Sequence, residues 1–436
     1  MTSVPTPPHF DVAVAGGGSA GIAAAVSAAR SGARTLLLER SDILGGNVGN
    51  AFVHTICGLY RPAVEAEARH AHPGFPQQFA EGLRAAGAAG SAERAGRVYV
   101  LPIQPPGFAE LAAKLCARTP GLEVRTRCEL VAAELATEGA APQAFSASSA
   151  LQGESRFTAS VLVDTSGDAN LGGLGGADLA AASPEEIQLP SLIFRMGGVD
   201  TAELSGFARL RLSFAIAGAV RSQELPDGCE SVLVRPAGAA DEVYVTLNVP
   251  RPPGAAYAPL DPVQLAALEQ AARASAVRLA EFLCRTRPAF AGSRIVAWPR
   301  RIGVRETRRL EGVAVLARGD VLAGREHADE VAVSTWPIEL WHDHRRAQFE
   351  YPASPCSIPL GALVSRSHPR LGMAGRCLSA THEALGALRV VGTALATGEA
   401  VGIAAALAAD RGIALAAVSA REVRGKILEL AGRGDP

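Results

Sequence analysis

The N-terminal part of the chain contains the stretch Asp11-Val-Ala-Val-Ala-Gly16-Gly-Gly18-Ser-Ala-Gly21, which decides the fold. A short apolar strand runs here into a glycine turn, and the turn opens an alanine-rich helix. Gly16 permits the tight turn, Gly18 lets the backbone approach a pyrophosphate, and Gly21 lets the helix pack closely on the sheet. The free amides and the dipole at the start of such a helix stabilise phosphate groups. This order of elements predicts a dinucleotide-binding unit.

A second apolar strand, Thr35-Leu-Leu-Leu, follows this helix and ends at Glu39. A carboxylate at this place can bind both hydroxyls of a ribose. A second glycine loop, Leu44-Gly45-Gly46, comes a few residues later. NAD does not require such a loop, whereas a longer cofactor must pass along more of the backbone. An ordinary surface loop is the alternative for this segment taken alone.

Composition and charge exclude several classes of function. The chain has 436 residues, enough for two domains, and 48% of them are apolar. A formal net charge of −1 gives no indication of a nucleic-acid or membrane-surface partner. No run of eighteen apolar residues predicts a membrane span, and the segment Met1–Pro8 lacks the basic and apolar parts of a secretory signal. Seven dispersed cysteines without a CxxC pair argue against a metal centre and favour reduced thiols in the cytoplasm.

The pattern of apolar and polar residues changes twice along the chain. The first third alternates apolar strands with helices, and it ends in the buried strand Ser160–Asp164. A different pattern begins near Ser183, with strands, the long helix Pro262–Arg285 and a segment rich in Arg, Trp and His. A strand at Leu371–Ala374 and one long final helix restore the first pattern. We therefore predict a discontinuous domain of residues 8–182 and 352–436, with residues 183–351 inserted as a second domain.

Two later segments also point to a bound ligand. The strand Val161-Leu-Val-Asp164 ends in Thr-Ser-Gly167-Asp168, and such small residues let a ligand approach the carboxyl edge of a sheet. Asp168 either orients that turn or caps the next segment of the chain. The final helix contains Gly392, Gly398 and Gly402. Each glycine inside a helix costs up to about 1 kcal/mol relative to alanine, so these three predict close approach of the helix to the sheet or to a cofactor.

Three blocks resemble a family of FAD-dependent oxidoreductases with the glutathione-reductase-type FAD fold and a fumarate-reductase-like domain layout. They are Gly16–Glu39, Val163–Asp168, and Ala374-Gly-Arg376 continued by Ser379-Ala-Thr-His382 and Arg389. The segments Ile302–Gly312 and Ser357–Leu363 are also similar to recurrent segments of that family. The resemblance implies an α/β fold, in which a Rossmann-like FAD-binding domain with a central parallel sheet and a β-meander carries an inserted α+β substrate domain.

The resemblance also implies which residues hold FAD. Glu39 is expected on the adenosine ribose, Gly45 and Gly46 along the pyrophosphate, and Gly375 and Arg376 beside the ribityl chain. The full predicted cofactor-binding set is Gly16, Gly18, Ser19, Ala20, Gly21, Glu39, Arg40, Gly45, Gly46, Asn47, Val131, Ser166, Gly167, Asp168, Gly375, Arg376, Leu388 and Arg389. Some related flavoproteins attach the flavin to a histidine; His54 lies in that region of the chain but not in a matching motif, and we expect non-covalent FAD.

Candidate catalytic residues come from an arginine cluster and from histidines. Five arginines lie between Arg300 and Arg309, and some of them must be solvated or paired with Glu306 or Glu311. As a group they predict at least one guanidinium, that of Arg305, in the cleft between the domains, where it can bind a carboxylate.

Histidine is the usual side chain for proton transfer near neutral pH. His382 is the preferred candidate because its motif adjoins the expected flavin ring, and His54 is a second candidate. His342 and His344 are further options. A purely structural role is the alternative for each of these histidines.

The absence of other motifs narrows the reaction. No second GxGxxG follows a strand, which argues against a built-in NAD(P)H domain, a disulfide reductase and a two-dinucleotide monooxygenase. We predict a dehydrogenase or oxidase that transfers hydride between a small, anionic organic substrate and flavin N5, with an external electron acceptor or oxygen. The alternatives are a flavin oxygenase fed by an external reductase, and a flavin-fold binding or chaperone protein without turnover. Substrate identity and oligomeric state are left open.

Overall fold

The structure is a computed structural model that describes residues 6–62, 67–137, 142–151, 153–204 and 206–432. Residues 1–5, on which part of the expectation about a secretory signal rests, lie outside the described residues. The strands are β1 (His9–Ala15), β2 (Thr35–Leu38), β3 (Thr55–Ile56), β4 (Glu93–Ala95), β5 (Val98–Pro102), β6 (Leu122–Arg125), β7 (Cys128–Glu134), β8 (Gln143–Ser149), β9 (Gly153–Asp164), β10 (Leu179–Ala181), β11 (Ser191–Gly197), β12 (Leu233–Ala237), β13 (Ala239–Asn248), β14 (Arg294–Ala297), β15 (Arg308–Leu310), β16 (Glu330–Ser334), β17 (Ile338–Asp343), β18 (Arg346–Glu350), β19 (Cys356–Pro359) and β20 (Leu371–Met373). The α-helices are α1 (Ser19–Arg30), α2 (Asn47–Ala51), α3 (Phe75–Ala85), α4 (Pro105–Arg118), α5 (Asn170–Leu174), α6 (Gly206–Arg221), α7 (Pro262–Thr286), α8 (Arg318–Ala323), α9 (His382–Leu388), α10 (Val391–Arg411) and α11 (Ala420–Gly432).

The central sheet combines the predicted parallel sheet and β-meander in one layer. Its strand order is β6-β2-β1-β9-β8-β7, and β20 also pairs with β9. The pairs β6–β2, β2–β1, β1–β9 and β9–β20 are parallel, whereas β9–β8 and β8–β7 are antiparallel. The long strand β9 takes part in both: residues 157–160 alternate between buried and half-buried, and the last four residues are all buried. This change matches the sequence, because parallel strands are covered on both faces. The predicted α/β class is therefore confirmed.

The glycines of helix α10 explain how the last helix packs, and they correct one expectation. A Cβ atom on Gly398 would lie 2.1 Å from the carbonyl oxygen of Ala20, and one on Gly402 would lie 2.2 Å from that of Ala24. These glycines therefore bring α10 against helix α1, and not against the sheet or a cofactor as predicted. Only Gly392 approaches a different segment, since a Cβ there would lie 2.5 Å from the Leu59 amide nitrogen.

The predicted long helix that contains Gly392, Gly398 and Gly402 is α10, and the short separate helix α9 precedes it. Thr381 caps α9, with its hydroxyl oxygen 3.4 Å from the amide nitrogen of Ala384. The backbone leaves the helical conformation at Val390, which is extended with φ −72° and ψ 155°. A new helix N-terminus therefore forms at Val391, inside the protein.

The inserted region has its own antiparallel sheet of order β12-β13-β11-β14. Apolar residues of this sheet and of helices α6 and α7 form a separate core between Ile187 and Ile302. Residues from Leu316 to Val364 instead pack into the core of the first domain. The predicted insert boundaries of 183 and 351 stay a prediction, and the two cores favour an insert that ends nearer residue 302.

One helix in the described part of the chain, α10, is long and apolar enough to cross a membrane by length and composition alone. In its most apolar window, 89% of the residues are buried inside the protein. This helix therefore has the environment of a core helix, in keeping with its contact with α1.

Candidate cofactor and substrate site

The turn after β1 has the geometry that the glycine pattern predicts. Gly16 has φ +105°, and a Cβ atom on Gly21 would lie 1.8 Å from the carbonyl oxygen of Gly16. The hydroxyl of Thr165 donates to the carbonyl oxygens of Ala15 and Gly16 at 3.0 and 2.8 Å. The carboxyl ends of β1 and β9 are thus joined where helix α1 begins, and its N-terminus is held in place.

Glu39 is buried at the end of β2, and its carboxylate is held at both oxygens. The amide of Gly17 donates to Oε2 at 2.7 Å, and the amide and hydroxyl of Ser41 donate to Oε1 at 2.8 and 2.7 Å. Glu39 lines a narrow cavity of about 70 Å³ together with Arg40 and Leu130. Its orientation is fixed before any ligand binds, and a ribose here would meet a preorganised acceptor.

The two glycine loops touch each other. The amide of Gly45 donates to the carbonyl oxygen of Gly17 at 2.8 Å. Gly46 has φ +56°, and a Cβ atom on it would lie 2.9 Å from the Cα atom of Gly18. Any larger residue at position 46 would collide with the Gly18 backbone. The bare backbone of the two touching loops can therefore accommodate a diphosphate that lies across them.

Three guanidinium groups lie near the two glycine loops. Asp168 forms ion pairs with Arg376 at 2.9 Å and with Arg40 at 3.5 Å. Arg301, from the inserted region, lines the same cavity, and its Nε has no hydrogen-bond partner in the described part of the chain. Burial and the neighbouring Arg40 and Arg376 lower the pKa of Arg301 to about 10. A diphosphate would supply the negative charge that these cations lack.

Arg376 connects the turn after β9 to the segment that follows the inserted sheet. Its Nε donates to the carbonyl oxygen of Gly167 at 3.0 Å, and its Nη1 donates to that of Val304 in that segment. The hydroxyl of Thr307 donates to the same Gly167 oxygen at 3.0 Å and to Asp168 at 3.2 Å. The turn after β9 is thus held by side chains from two segments, the one that follows β20 and the one that follows the inserted sheet.

The predicted cofactor-binding residues divide into three groups, and their assignment to FAD contacts stays a prediction. Those that line the narrow cavity are Gly16, Gly18, Glu39, Arg40, Gly46 and Ser166. Those that line a second, larger cavity are Asn47, Arg376 and Arg389. Those outside both linings are Ser19, Ala20, Gly21, Gly45, Val131, Gly167, Asp168, Gly375 and Leu388. Val131 sits at an irregularity in the β7–β8 pairing with its side chain 41% exposed, whereas its neighbour Leu130 faces the narrow cavity.

The larger cavity has a volume of about 410 Å³ and lies between the first domain and the inserted sheet. Both domains and the β17–β18 hairpin contribute to its walls. Its polar or charged lining side chains include His54, Arg235, Arg305, Glu339 and Arg389, and its aromatic walls are Trp336, Trp341, Phe349 and Tyr351.

Helix α10 begins at the wall of this cavity, where Val390 and Val391 lie. The amide of Gly392 donates to the carbonyl oxygen of Cys57 at 2.8 Å, which holds the helix N-terminus against the segment after β3. The 21-residue helix therefore directs the positive end of its dipole towards the cavity. Negative charge that develops on a bound ring at this point would be stabilised.

Arg305 is the member of the arginine cluster that lines the larger cavity. Its Nη1 donates to the carbonyl oxygen of Leu189 at 2.6 Å, and its Nη2 donates to Oδ1 of Asn248 at 2.7 Å. Burial, reinforced by the nearby Arg389, lowers the pKa of Arg305 to about 9.

The other members of the cluster have different partners. Arg300 pairs with Asp42 at 2.5 Å near the surface. Arg308 donates to the carbonyl oxygen of Asp168 at 2.8 Å. Arg309 forms a buried ion pair with Glu306 at 2.6 Å.

Glu339 is a cavity residue that the sequence did not single out. It lies on β17, where side chains alternate between two faces, so that Ile338 and Leu340 are buried while Glu339 and Trp341 share the cavity side. Trp336 donates its indole N–H to Oε2 at 2.9 Å, and Trp341 donates to Oε1 at 2.7 Å. The alternation of this strand between buried and cavity-facing residues was the signal available in the sequence.

His54 lies in the larger cavity as a neutral ring. Its Nδ1 is 3.1 Å from the carbonyl oxygen of Phe52, and the ring stacks on Tyr244 with centroids 4.7 Å apart. A carbonyl oxygen only accepts, so Nδ1 must carry the proton and Nε2 is left as an acceptor. Burial lowers the pKa of His54 to about 4.

His382 lies outside the residues that line the larger cavity. Its Nδ1 is 2.8 Å from Oε2 of Glu306, and its Nε2 is 3.1 Å from Nε2 of His342. Gln188 connects this group to the cavity, because its Oε1 accepts from Arg389 at 3.1 Å and its Nε2 donates to Glu306 at 3.3 Å. The catalytic assignment of His382 stays a prediction, but its ring is turned towards Glu306 and His342, not towards the cavity as expected.

The donor set of the two cavities fits a flavin dinucleotide. The bare backbone where Gly18 and Gly46 meet suits a diphosphate, and so does Arg301, whose Nε has no partner among the described residues. Glu39 suits a ribose on one side of this junction. The larger cavity on the other side, with the N-terminus of α10 in its wall, suits a ring system.

Comparisons with known proteins agree with this geometry. A family model described as FAD dependent oxidoreductase matches residues 11–427. The 5-taurinomethyluridine-tRNA synthase subunit MTO1, mitochondrial, of Mus musculus is 58% identical over 45 residues, which are 10% of this chain and 7% of that protein. The protein of the same name from Macaca fascicularis is also 58% identical over 45 residues, 10% of this chain and 6% of its own length. The matched segment thus spans less than a tenth of these relatives.

Among solved structures, p-nitrophenol 4-monooxygenase PnpA from Pseudomonas putida DLL-E4 aligns with a TM-score of 0.48 and 12% identity, over 99% of this chain and 91% of that chain. The myxobacterial chondrochloren halogenase CndH aligns with a TM-score of 0.47 and 13% identity, over 98% and 80% of the two chains. Likenesses of this size carry no information about the substrate. The family model, in contrast, covers most of the chain, and the chain therefore belongs to the family of FAD-dependent oxidoreductases.

Proposed function

We propose that the protein transfers hydride between a small anionic organic substrate and FAD, and that the substrate binds in the larger cavity between the two domains. When bound, FAD supplies the hydride acceptor or donor at its N5 atom. The observation that carries the proposal is the position of Arg305 in the wall of this cavity. A guanidinium that is shielded from water binds a carboxylate more strongly than an exposed one does.

The charges of the cavity support an anionic substrate. Arg376 is neutralised by Asp168, and Arg235 lies 3.7 Å from Glu93. Arg305 and Arg389 donate to neutral carbonyl or amide oxygens instead. Two guanidinium groups therefore face one carboxylate, that of Glu339, and the cavity keeps a net positive charge that a substrate anion would balance.

The position of His54 in the cavity supports a role for this residue in orienting the substrate. Because Nδ1 of His54 is held by Phe52, Nε2 carries a lone pair at neutral pH, on a ring that lines the cavity. Such a group accepts a hydrogen bond from a substrate O–H or N–H without adding positive charge. His382 acts, in this proposal, through Glu306 and Gln188 on the orientation of Arg389.

The electron acceptor that closes the cycle is proposed to be an external protein, a small molecule or oxygen. We place the reaction in the cytoplasm, a proposal supported by the seven cysteines, all of which are free thiols.

An anaerobic titration tests the proposal. The FAD-loaded protein is mixed with a panel of organic acids and with neutral analogues of the same size, and bleaching of the visible flavin band is followed. We expect reduction by at least one acid and not by its neutral analogue. Reduction by neutral compounds alone would contradict the anionic substrate. A flavin that only an external reductase reduces, followed by oxygen insertion, would support an oxygenase, and a flavin that even dithionite leaves oxidised would support a binding protein.

A further inference from the structure

We infer that the substrate carries a hydrogen-bond donor, a hydroxyl or an ammonium group, in addition to its carboxylate, and that Glu339 recognises this donor. The inference rests on the proposed function, because it places the substrate in the same cavity. The observation behind it is that Trp341 contacts two charged groups. The Arg305 guanidinium lies over its ring face, and its ring N–H donates to the Glu339 carboxylate.

The carboxylate of Glu339 is oriented by neutral donors. The indoles of Trp336 and Trp341 each donate one hydrogen bond, at 2.9 and 2.7 Å. Arg389 approaches the same residue but donates to its main-chain carbonyl oxygen at 3.3 Å. A carboxylate accepts about four hydrogen bonds in all, so the two indoles leave about half of its capacity for a ligand.

Trp341 also fixes the position of the Arg305 guanidinium. The guanidinium carbon of Arg305 lies over the Trp341 ring, 4.7 Å from its centroid. The same ring donates its N–H to Glu339. The indole therefore contacts a cation on its face and an anion at its edge. Both charges remain available to a ligand that has a carboxylate for Arg305 and a donor for Glu339.

A donor-bearing acid satisfies the site better than a plain carboxylate does. A carboxylate alone would neutralise Arg305 and leave about half of the acceptor capacity of Glu339 unfilled, because among the described residues only the two indoles donate to its carboxylate. Unfilled capacity is costly for a charged group in a partly enclosed cavity. A hydroxyl or ammonium group would complete its hydrogen bonds. Trp336, Phe349 and Tyr351 provide apolar surface for the remaining part of the molecule.

A binding experiment with three related acids tests this inference. The probes are 3-phenylpropanoate, its 2-hydroxy derivative and its 2-amino derivative, with 3-phenylpropanol as the neutral analogue. Binding to the FAD-loaded protein is followed by perturbation of the flavin spectrum and by quenching of tryptophan fluorescence, neither of which requires turnover. We expect at least one donor-bearing acid to bind about tenfold or more tightly than the plain acid, the range for hydrogen bonds to charged groups.

Variants separate Glu339 from Arg305. In Glu339→Gln the preference for the donor-bearing acid should fall to about twofold or less, because a neutral amide accepts a weaker hydrogen bond than a carboxylate. In Arg305→Lys all three acids should weaken while their ratio persists. Glu350→Gln is the matched control, since Glu350 lies on the adjacent strand β18, pairs with Arg318 and should leave binding unchanged. Trp341→Phe keeps the Glu339 carboxylate but removes one of its indole donors, and it should reduce the preference for the donor-bearing acid. This variant provides a second test in case Glu339→Gln misfolds.

The outcomes distinguish the two proposals. Equal binding of the three acids in the wild-type protein would overturn the donor inference and leave the anionic substrate standing. A preference that persists in Glu339→Gln would also overturn it. Binding of the neutral 3-phenylpropanol in preference to all acids would overturn the proposed function itself.

Discussion

The guanidinium of Arg305 stacks on the indole of Trp341, with 4.7 Å between the guanidinium carbon and the ring centroid. Arg305 comes from the segment that follows the inserted sheet, and Trp341 comes from the β17–β18 hairpin. Their contact fixes the only arginine of the 300–309 cluster that the structure, within its described residues, places among the groups lining the larger cavity. Substrate recognition is therefore expected to depend on this contact as well as on the charge.

Arg305→Lys should raise the apparent substrate constant about tenfold or more, because lysine keeps the charge but loses the planar, stacked donor fork. Bound FAD should be retained. Steady-state kinetics and the flavin spectrum measure the two effects. Arg300→Lys is the matched control, since Arg300 lies in the same segment but pairs with Asp42 near the surface. An unchanged substrate constant in Arg305→Lys would remove this residue from the substrate site.

Glu39→Ala should weaken FAD binding by about 1.5–3 kcal/mol, the range for hydrogen bonds to charged groups. The loss includes the bonds that orient the glycine turn, because Glu39 accepts from Gly17 and Ser41. Titration of the FAD-free protein with FAD gives the constant. Glu123→Ala, at the edge strand β6 and 41% exposed, should leave it unchanged. A folded Glu39→Ala protein with normal FAD affinity would contradict the ribose assignment.

Arg301→Met should weaken the binding of both FAD and ADP, since Arg301 lines the narrow cavity and its Nε has no partner within the described residues. We expect a loss of about tenfold, comparable with one charge-assisted hydrogen bond. Riboflavin, which lacks the diphosphate, should bind equally well to the variant and the wild-type protein. Arg300→Met supplies the neighbouring control. If riboflavin weakened as much as FAD, Arg301 would act on the fold and not on the diphosphate.

Gly402→Ala should destabilise the protein by about 1–3 kcal/mol or more, the usual cost of overpacking a tight contact. The added methyl group would lie 2.2 Å from the Ala24 carbonyl oxygen, which is backbone and cannot turn aside. Gly425→Ala, on the exposed side of helix α11 with open space around it, should be neutral or slightly stabilising. Thermal unfolding of both variants gives the comparison. Equal stability of the two would show that α1 and α10 can separate freely.

Acid should destabilise the protein partly through His54. Its pKa in the folded protein is about 4, below the value of 6.5 expected when unfolded, so the unfolded chain binds the proton more readily. Stability is therefore complete above pH 6.5 and falls as the pH drops towards 4, by about 3 kcal/mol for this group. Between pH 7 and 4, the free energy of unfolding of His54→Gln should fall by about 3 kcal/mol less than that of the wild-type protein. Denaturant unfolding at the two pH values measures this difference. His72→Gln should behave alike, because burial also lowers the pKa of His72 to about 4, but it should leave substrate binding intact since His72 lies outside the larger cavity.

Local patterns were sufficient for the parts of the fold that depend on neighbouring residues. The strand, turn and helix around Gly16 follow from spacing alone, and so does the acid at the end of β2. The break at Val390 was not predictable in this way, because Val390 and Val391 do not exclude a helix. Its cause is long-range: Gly392 must meet the backbone at Cys57, 335 positions earlier in the chain.

The same distinction between local patterns and long-range contacts applies to the candidate site. Glu39 was predicted because its role is tied to its place after a strand. The arginine cluster pointed to the cleft, but which members enter the cavities depends on pairings with Asp42, Asp168 and Glu306 that no spacing rule contains. The orientation of His382 towards Glu306, 76 positions away, was missed for the same reason.

The contact between helices α1 and α10 has a consequence for synthesis of the protein. Helix α1 leaves the ribosome early, but the helix that covers it, with Gly398 and Gly402 against Ala20 and Ala24, is among the last segments to emerge. The apolar face of α1 that α10 covers in the folded protein therefore remains uncovered by that helix while more than 350 intervening residues are translated. We expect nascent chains to depend on chaperones during this interval, and truncation before Gly398 to leave a chain that aggregates instead of capturing its cofactor.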